Sequence, residues 1–81
     1  MGDDAEMTYR YAINNLTPLA SGKPEVYEPY LAMAYSHFAC FCDDTAKAEE
    51  AEHCFSMAMN IASKYPENDI CHSIREFLLL M

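Results

Sequence analysis

YLAMAYSHFACFCDDTAKAEEAEHCFSMAMNIA is the sequence of residues 30–62, and this stretch decides the fold. Apolar side chains recur in it at steps of three or four residues, which is the spacing of one face of an α-helix. Asp43-Asp44-Thr45 divides it into two segments and offers three residues suited to capping the second helix. Alanines in both segments let two helix backbones approach closely. The stretch therefore predicts an antiparallel helical hairpin with a core of Leu31, Tyr35, Phe38, Ala51, Phe55 and Ala58.

Two more helices are predicted, one before and one after this hairpin. Pro18 is expected to end the first helix at Thr17, because proline disfavours helical geometry in the residue before it. Residues 19–24 then form the clearest linker. No segment alternates apolar and polar residues as a strand would. The 81 residues are therefore predicted to form one all-α domain, a small antiparallel bundle of about four helices at roughly 4–17, 25–42, 45–64 and 68–80.

The prolines and polar residues between helices give two finer predictions. Pro24 and Pro29 cannot both lie in the first turn of the second helix, so that helix is expected to begin near Glu28 or to be kinked there. Asn68 or Asp69 can cap the last helix after the break that begins at Tyr65-Pro66.

The hairpin resembles a tetratricopeptide repeat, a protein-binding helical hairpin, over about 40 residues. The chain departs from the repeat pattern at Glu28, where an aromatic residue is usual, and in a longer gap between Tyr35 and Ala51. The resemblance implies protein binding without chemistry. In size and helical content the chain is also similar to the chaperones of type III secretion needle subunits, which hold an amphipathic helix of their client. The residues that carry the resemblance to the repeat are Leu31, Ala32 and Tyr35 on one helix, Ala51, Phe55 and Ala58 on the other, and Pro66.

Charge and hydropathy restrict the partner and the location. The formal net charge of −8 repels nucleic acid and anionic membranes, so neither is expected as a direct partner. No segment has the length of apolar sequence that a membrane-spanning helix needs. The first seven residues, MGDDAEM, lack the basic and apolar parts of a secretory signal. The sequence therefore predicts a cytoplasmic protein with reduced thiols.

The residues that could carry chemistry fit structural roles better. Cys40 and Cys42 point about 200° apart on a helix, which does not suit a zinc knuckle. A nucleophilic cysteine needs an electropositive pocket, and the surroundings here are acidic. The carboxylate pairs Asp43-Asp44 and Glu49-Glu50 fit helix capping and solubility. No enzyme activity, metal or cofactor is therefore expected.

Apolar surface beyond the needs of one helical hairpin predicts a binding module or chaperone that buries an apolar helix of a partner protein. Residues 74–81 are expected to dock on that partner or on a second copy, because three consecutive leucines there cannot all face one seam. Two alternatives remain open, namely an acidic inhibitor of a nucleic-acid enzyme encoded by a phage or mobile element, and a structural homodimer. The predicted partner-binding residues are Val26, Met33, His37, Met57, Ile61, Leu79, Leu80 and Met81.

Overall fold

The structure, a computed structural model, describes residues 2–80 and the side chains of residues 5–80. Residues 2–80 contain no strand, which confirms the predicted all-α fold. The packed helices form an antiparallel four-helix bundle with extents of 34 × 28 × 17 Å. The helices are α1 (Gly2–Gly22), α2 (Pro24–Asp44), α3 (Ala48–Lys64) and α4 (Asp69–Leu79).

Helix α2 is the centre of the bundle, because it packs against all three other helices. The chain folds back after each helix, so α1 and α3 both lie against α2, and α4 covers the α2–α3 pair. Within residues 2–80, α1 and α4 do not pack against each other. The two helices therefore border the same central helix with a gap between them.

The predicted end of the first helix at Thr17 is wrong, since α1 continues through Pro18 to Gly22. Proline inside a helix removes one backbone hydrogen bond and costs about 3 kcal/mol. Two contacts offset that cost: the Thr17 hydroxyl donates to the Ile13 carbonyl at 2.7 Å, and Ala20 is buried in the core at 6% exposure. The predicted linker is therefore reduced to Lys23, the one residue between α1 and α2.

Helix α2 begins at Pro24, earlier than the alternative start near Glu28. Pro24 occupies the first turn, where the missing N–H is harmless. Pro29 lies inside the helix and is fully buried. Burial of its ring against the core helps to offset the hydrogen bond that the Glu25 carbonyl loses.

The turn between α2 and α3 corrects a second prediction. Asp43 and Asp44 are the last residues of α2, and Thr45 caps the end of that helix instead of the start of α3. The N–H of Lys47 bonds the Cys42 carbonyl at 2.8 Å and the N–H of Ala46 bonds the Asp43 carbonyl at 3.3 Å. This pair of bonds is a Schellman motif, which ends a helix by placing one residue in the left-handed conformation. Ala46 is that residue, with φ at 61°.

Ala46→Gly is expected to raise the free energy of unfolding by about 0.5–1 kcal/mol, because glycine adopts this conformation without the clash that a Cβ causes. Part of the gain is lost to the greater freedom of glycine in the unfolded chain. Urea denaturation measures the change. The matched control is Ala34→Gly inside α2, which should lower stability by about 1 kcal/mol. A less stable Ala46→Gly protein would contradict the strained turn.

Helix α4 begins as the sequence predicted. The side chain of Asn68 accepts a hydrogen bond from the Cys71 N–H at 3.1 Å, which is the N-cap interaction. Asp69, the other candidate, is the first residue of the helix and lies at the favourable end of its dipole.

The core is a seam of small residues with aromatic rings at its edges. Ala32 and Ala39 of α2 and Ala58 and Ala62 of α3 are each 0% exposed, so the two backbones approach closely as the sequence predicts. Of the predicted core residues, Leu31, Phe38, Ala51 and Ala58 are buried, whereas Tyr35 and Phe55 are half-buried at the edge.

Candidate functional site

A groove of about 450 Å³ opens between α1 and α4, with α2 as its floor. It exists because α1 and α4 both pack on α2 but not on each other within residues 2–80. Most of its surface is apolar. The residues that line it are Tyr9, Met33, Ser36, His37, Cys40, Phe41, Asp44, Ser73, Ile74 and Phe77.

The floor of the groove is one stripe of α2. Met33, His37, Cys40 and Asp44 follow one another at steps of four, three and four residues, so they lie in a row along the helix. At 1.5 Å of rise per residue, this row is about 16 Å long, which is the length of about three helical turns. Met33 is 39% exposed, a high value for a methionine at the centre of a bundle.

The two walls differ in how firmly they are packed. On the α1 side, Tyr9 stacks on Phe38 at 5.8 Å and lies 5.7 Å from Phe41, measured between ring centroids. On the α4 side, Ile74 is buried in the core, whereas Phe77 is 45% exposed. The groove therefore has one wall of interlocked rings and one that ends in an exposed ring.

Charged contacts to α3 hold the first wall in place. Arg10 donates from one nitrogen to both carboxylate oxygens of Glu50, at 3.0 and 2.9 Å, and its guanidinium lies 5.0 Å from the Phe38 ring centroid. Glu6 pairs with Lys47, and this hydrogen bond lowers the pKa of Glu6. These contacts connect α1 with the start of α3 across the end of α2, beside the groove.

The pKa values of two cysteine thiols are raised, one of them on the floor of the groove. Burial, and then the charges of Asp44 and Asp43, raise the pKa of the Cys40 thiol, so the thiol is protonated near neutral pH. Burial raises the pKa of Cys54 further, to about 11. No three histidine, cysteine, aspartate or glutamate side chains in the described part of the chain are grouped so as to hold a metal ion.

The charge around the groove is acidic. Asp44 lines one end and Asp43 precedes it, and neither side-chain carboxylate forms a hydrogen bond or ion pair among the described residues. The lining contains no lysine or arginine among the residues that the structure describes. Four of the five basic residues have partners outside the groove. These pairs are Arg10 with Glu50, Lys47 with Glu6, Lys64 with Glu28 at 3.3 Å, and Arg75 with the Pro66 carbonyl at 2.9 Å.

The predicted partner-binding residues do not form one surface. Met33 and His37 lie together in the groove. Ile61 is 4% exposed in the core, so its assignment to a free face is wrong, and Met57 is half-buried outside the groove. Val26, Leu79 and Leu80 are exposed at 51%, 78% and 87% and do not line the groove. Met81 lies outside the described residues.

Part of the predicted docking segment, residues 74–81, is buried in the core. Ile74 is 6% exposed and Leu78 packs against the same core cluster. The segment does not cover Ile13 and Leu16 of the first helix, since within the described residues α4 lies on α2 and α3. Its apolar side chains that remain exposed are Phe77, Leu79 and Leu80 among the described residues.

Tyr9, Phe41 and Asp44 line the groove but were not predicted as site residues, and Phe77 was expected only as part of the docking segment 74–81. A signal for Phe41 exists in α2, which carries apolar residues around most of its circumference and is therefore typical of a helix packed on several sides. Asp44 was interpreted as a helix-capping residue, so its position at the end of the row formed by Met33, His37 and Cys40 was not predicted.

Comparisons with protein-family models, curated proteins and solved structures found no match for this chain. None of the helices in residues 2–80 combines the length and apolar character needed to cross a membrane.

Proposed function

We propose that this chain is a non-enzymatic cytoplasmic binding module that holds an apolar α-helix of another protein in the groove between α1 and α4. The observation that carries the proposal is the open, mostly apolar groove over α2, between two helices that do not pack on each other within residues 2–80. An amphipathic helix laid on α2 would bury Met33 and Phe77, and would complete the packing around the central helix. The resemblance of the α2–α3 hairpin to a tetratricopeptide repeat supports the same function.

The dimensions of the groove support a short helical ligand. Its floor of about 16 Å accommodates about three turns, or about 11 residues. The volume of about 450 Å³ falls in the range of a site that takes several side chains rather than a whole domain. The expected ligand is therefore one amphipathic segment, with apolar side chains at i, i+3, i+4 and i+7.

The test uses a fluorescein-labelled synthetic peptide of about 14 residues, with leucine and phenylalanine on one helical face and glutamine and serine elsewhere. Binding is followed by fluorescence anisotropy, and the site is mapped by amide chemical shifts. Met33→Ser with Phe77→Ser should weaken binding at least about tenfold, because two apolar contacts worth more than about 1.4 kcal/mol together are lost. Both residues are partly exposed, so the fold should persist and circular dichroism checks it.

The matched control is Leu79→Ser with Leu80→Ser, which removes two more exposed apolar residues outside the groove. This variant should bind the peptide as the parent does. If it abolishes binding while the groove variant does not, the C-terminal leucines are the binding surface and the groove assignment is wrong. If the peptide binds neither surface and the control variant alone converts a dimer into a monomer in sedimentation velocity, the homodimer replaces this proposal.

A further inference from the structure

We infer that the helix held in the groove is cationic at the end that meets Asp43 and Asp44. This inference rests on the proposed function, since it specifies the ligand of the same groove. One end of the row on α2 is apolar at Met33, and the other ends in the Asp44 carboxylate. A helix that lies along this row contacts an apolar side chain at one end and the Asp44 carboxylate at the other. A lysine or arginine at the second end of that helix complements the carboxylate.

The position of the two aspartates is the first argument. They lie in the last turn of α2, where the helix dipole is negative and where acidic side chains are disfavoured. That turn contains no basic residue to compensate them. Neither side-chain carboxylate has a hydrogen-bond or ion-pair partner among the described residues. Asp44 therefore presents an unpaired charge at the end of the groove, and Asp43 adds a second charge next to it in the sequence.

The distribution of the basic residues is the second argument. Arg10 follows the groove residue Tyr9 in the sequence, but it binds Glu50. Lys47 lies three residues after Asp44, but it binds Glu6. Within the described residues, the groove lining therefore contributes Asp44 as its carboxylate and no permanent cation. The net charge of −8 adds a long-range field that attracts a cationic segment and repels an acidic one.

The same charges argue against a second copy as the ligand. Another copy also carries −8, so two copies repel each other. Its most exposed apolar pair, Leu79 and Leu80, lies at the end of a helix whose last turn contains no basic residue. That end of a second copy would bring no cation to Asp44, so the expected occupant is a different protein.

The experiment compares synthetic amphipathic peptides of about 14 residues that share one apolar face. One terminal pair is Lys-Lys, Gln-Gln or Glu-Glu, placed at the N-terminus in one set and at the C-terminus in another, because a helix can lie in the groove in either direction. In about 50 mM NaCl, the lysine peptide of one set should bind about fivefold more tightly than its glutamine counterpart. In about 500 mM NaCl the ratio should approach one, because salt screens the partly exposed charges.

Two protein variants locate the preference. Asp43→Asn with Asp44→Asn should reduce the lysine-to-glutamine ratio to about one, whatever its effect on the affinity for the glutamine peptide, and it should also raise the urea midpoint. Glu49→Gln with Glu52→Gln removes the same charge from exposed positions of α3 and should leave the ratio intact. Equal loss in both variants, or equal binding of all peptides, would overturn this inference and leave the groove function standing. Failure of every peptide to bind would overturn both.

Discussion

Phe38→Ala is expected to remove most of the stability of the protein. Phe38 is 3% exposed and belongs to the core cluster that joins α2 to α3. Its ring stacks on Tyr9 at 5.8 Å and on Phe41 at 6.2 Å, so it also connects α1 to the bundle. Truncation of a buried phenylalanine costs about 3–5 kcal/mol. A domain of this size has a stability of about 5 kcal/mol, so little remains after the change.

Circular dichroism and urea denaturation measure the loss, and Phe55→Ala is the matched control. Phe55 packs at the edge of the same cluster and is half-buried, so its truncation should cost about 1–2 kcal/mol and leave a folded protein. The sequence alone places Phe55 at the centre of the hairpin, where its truncation is expected to unfold or nearly unfold the domain. A Phe55→Ala protein as unstable as Phe38→Ala would show that Phe55 is a central core residue and does not lie at the edge of the cluster.

The helical fold was predictable because its signals are local. Apolar periodicity identifies the helices, and Asn68 identifies the start of α4 through a cap that needs only its own neighbours. The close α2–α3 seam follows from the alanines in both helices, four of which are fully buried. These features require no knowledge of how distant parts of the chain meet.

The errors arise where tertiary packing overrides a local preference. Pro18 is a helix-ending signal, yet α1 continues because Ala20 beyond it is buried in the core. Asp43 and Asp44 are good caps for a following helix, yet α2 extends through both and ends in a Schellman motif at Ala46. The sequence cannot rank these local preferences against contacts that only the folded chain makes.

The groove was only half predictable for a related reason. Met33, His37 and Cys40 share one face of a helix, and the sequence alone shows this. Which helix covers that face depends on where α1 and α4 pack. Tyr9 and Phe77 become opposite walls because both helices use α2 as their support, and no spacing within either segment indicates this.

Ala58→Leu is expected to destabilise the fold by about 1–3 kcal/mol, because the site has no room for a larger side chain. Ala58 is 0% exposed and lies in the core cluster with Ala32 of α2 and Cys71 of α4. The longer side chain must separate α3 from α2 or displace α4. Urea denaturation measures the change, and Ala48→Leu at an exposed position of α3 is the control, with an expected change within about 0.5 kcal/mol.

Ala58→Leu also tests whether the shape of the groove depends on the close packing of α2 against α3. Cys71 and Ile74 attach α4 to the cluster around Ala58, and Ile74 is also part of the groove wall. The fraction of Ala58→Leu protein that remains folded should therefore bind the amphipathic peptide more weakly than the parent, although Ala58 lies outside the groove. Unchanged affinity per folded molecule would mean that α4 keeps its place when the seam expands, and that α2 alone sets the shape of the site.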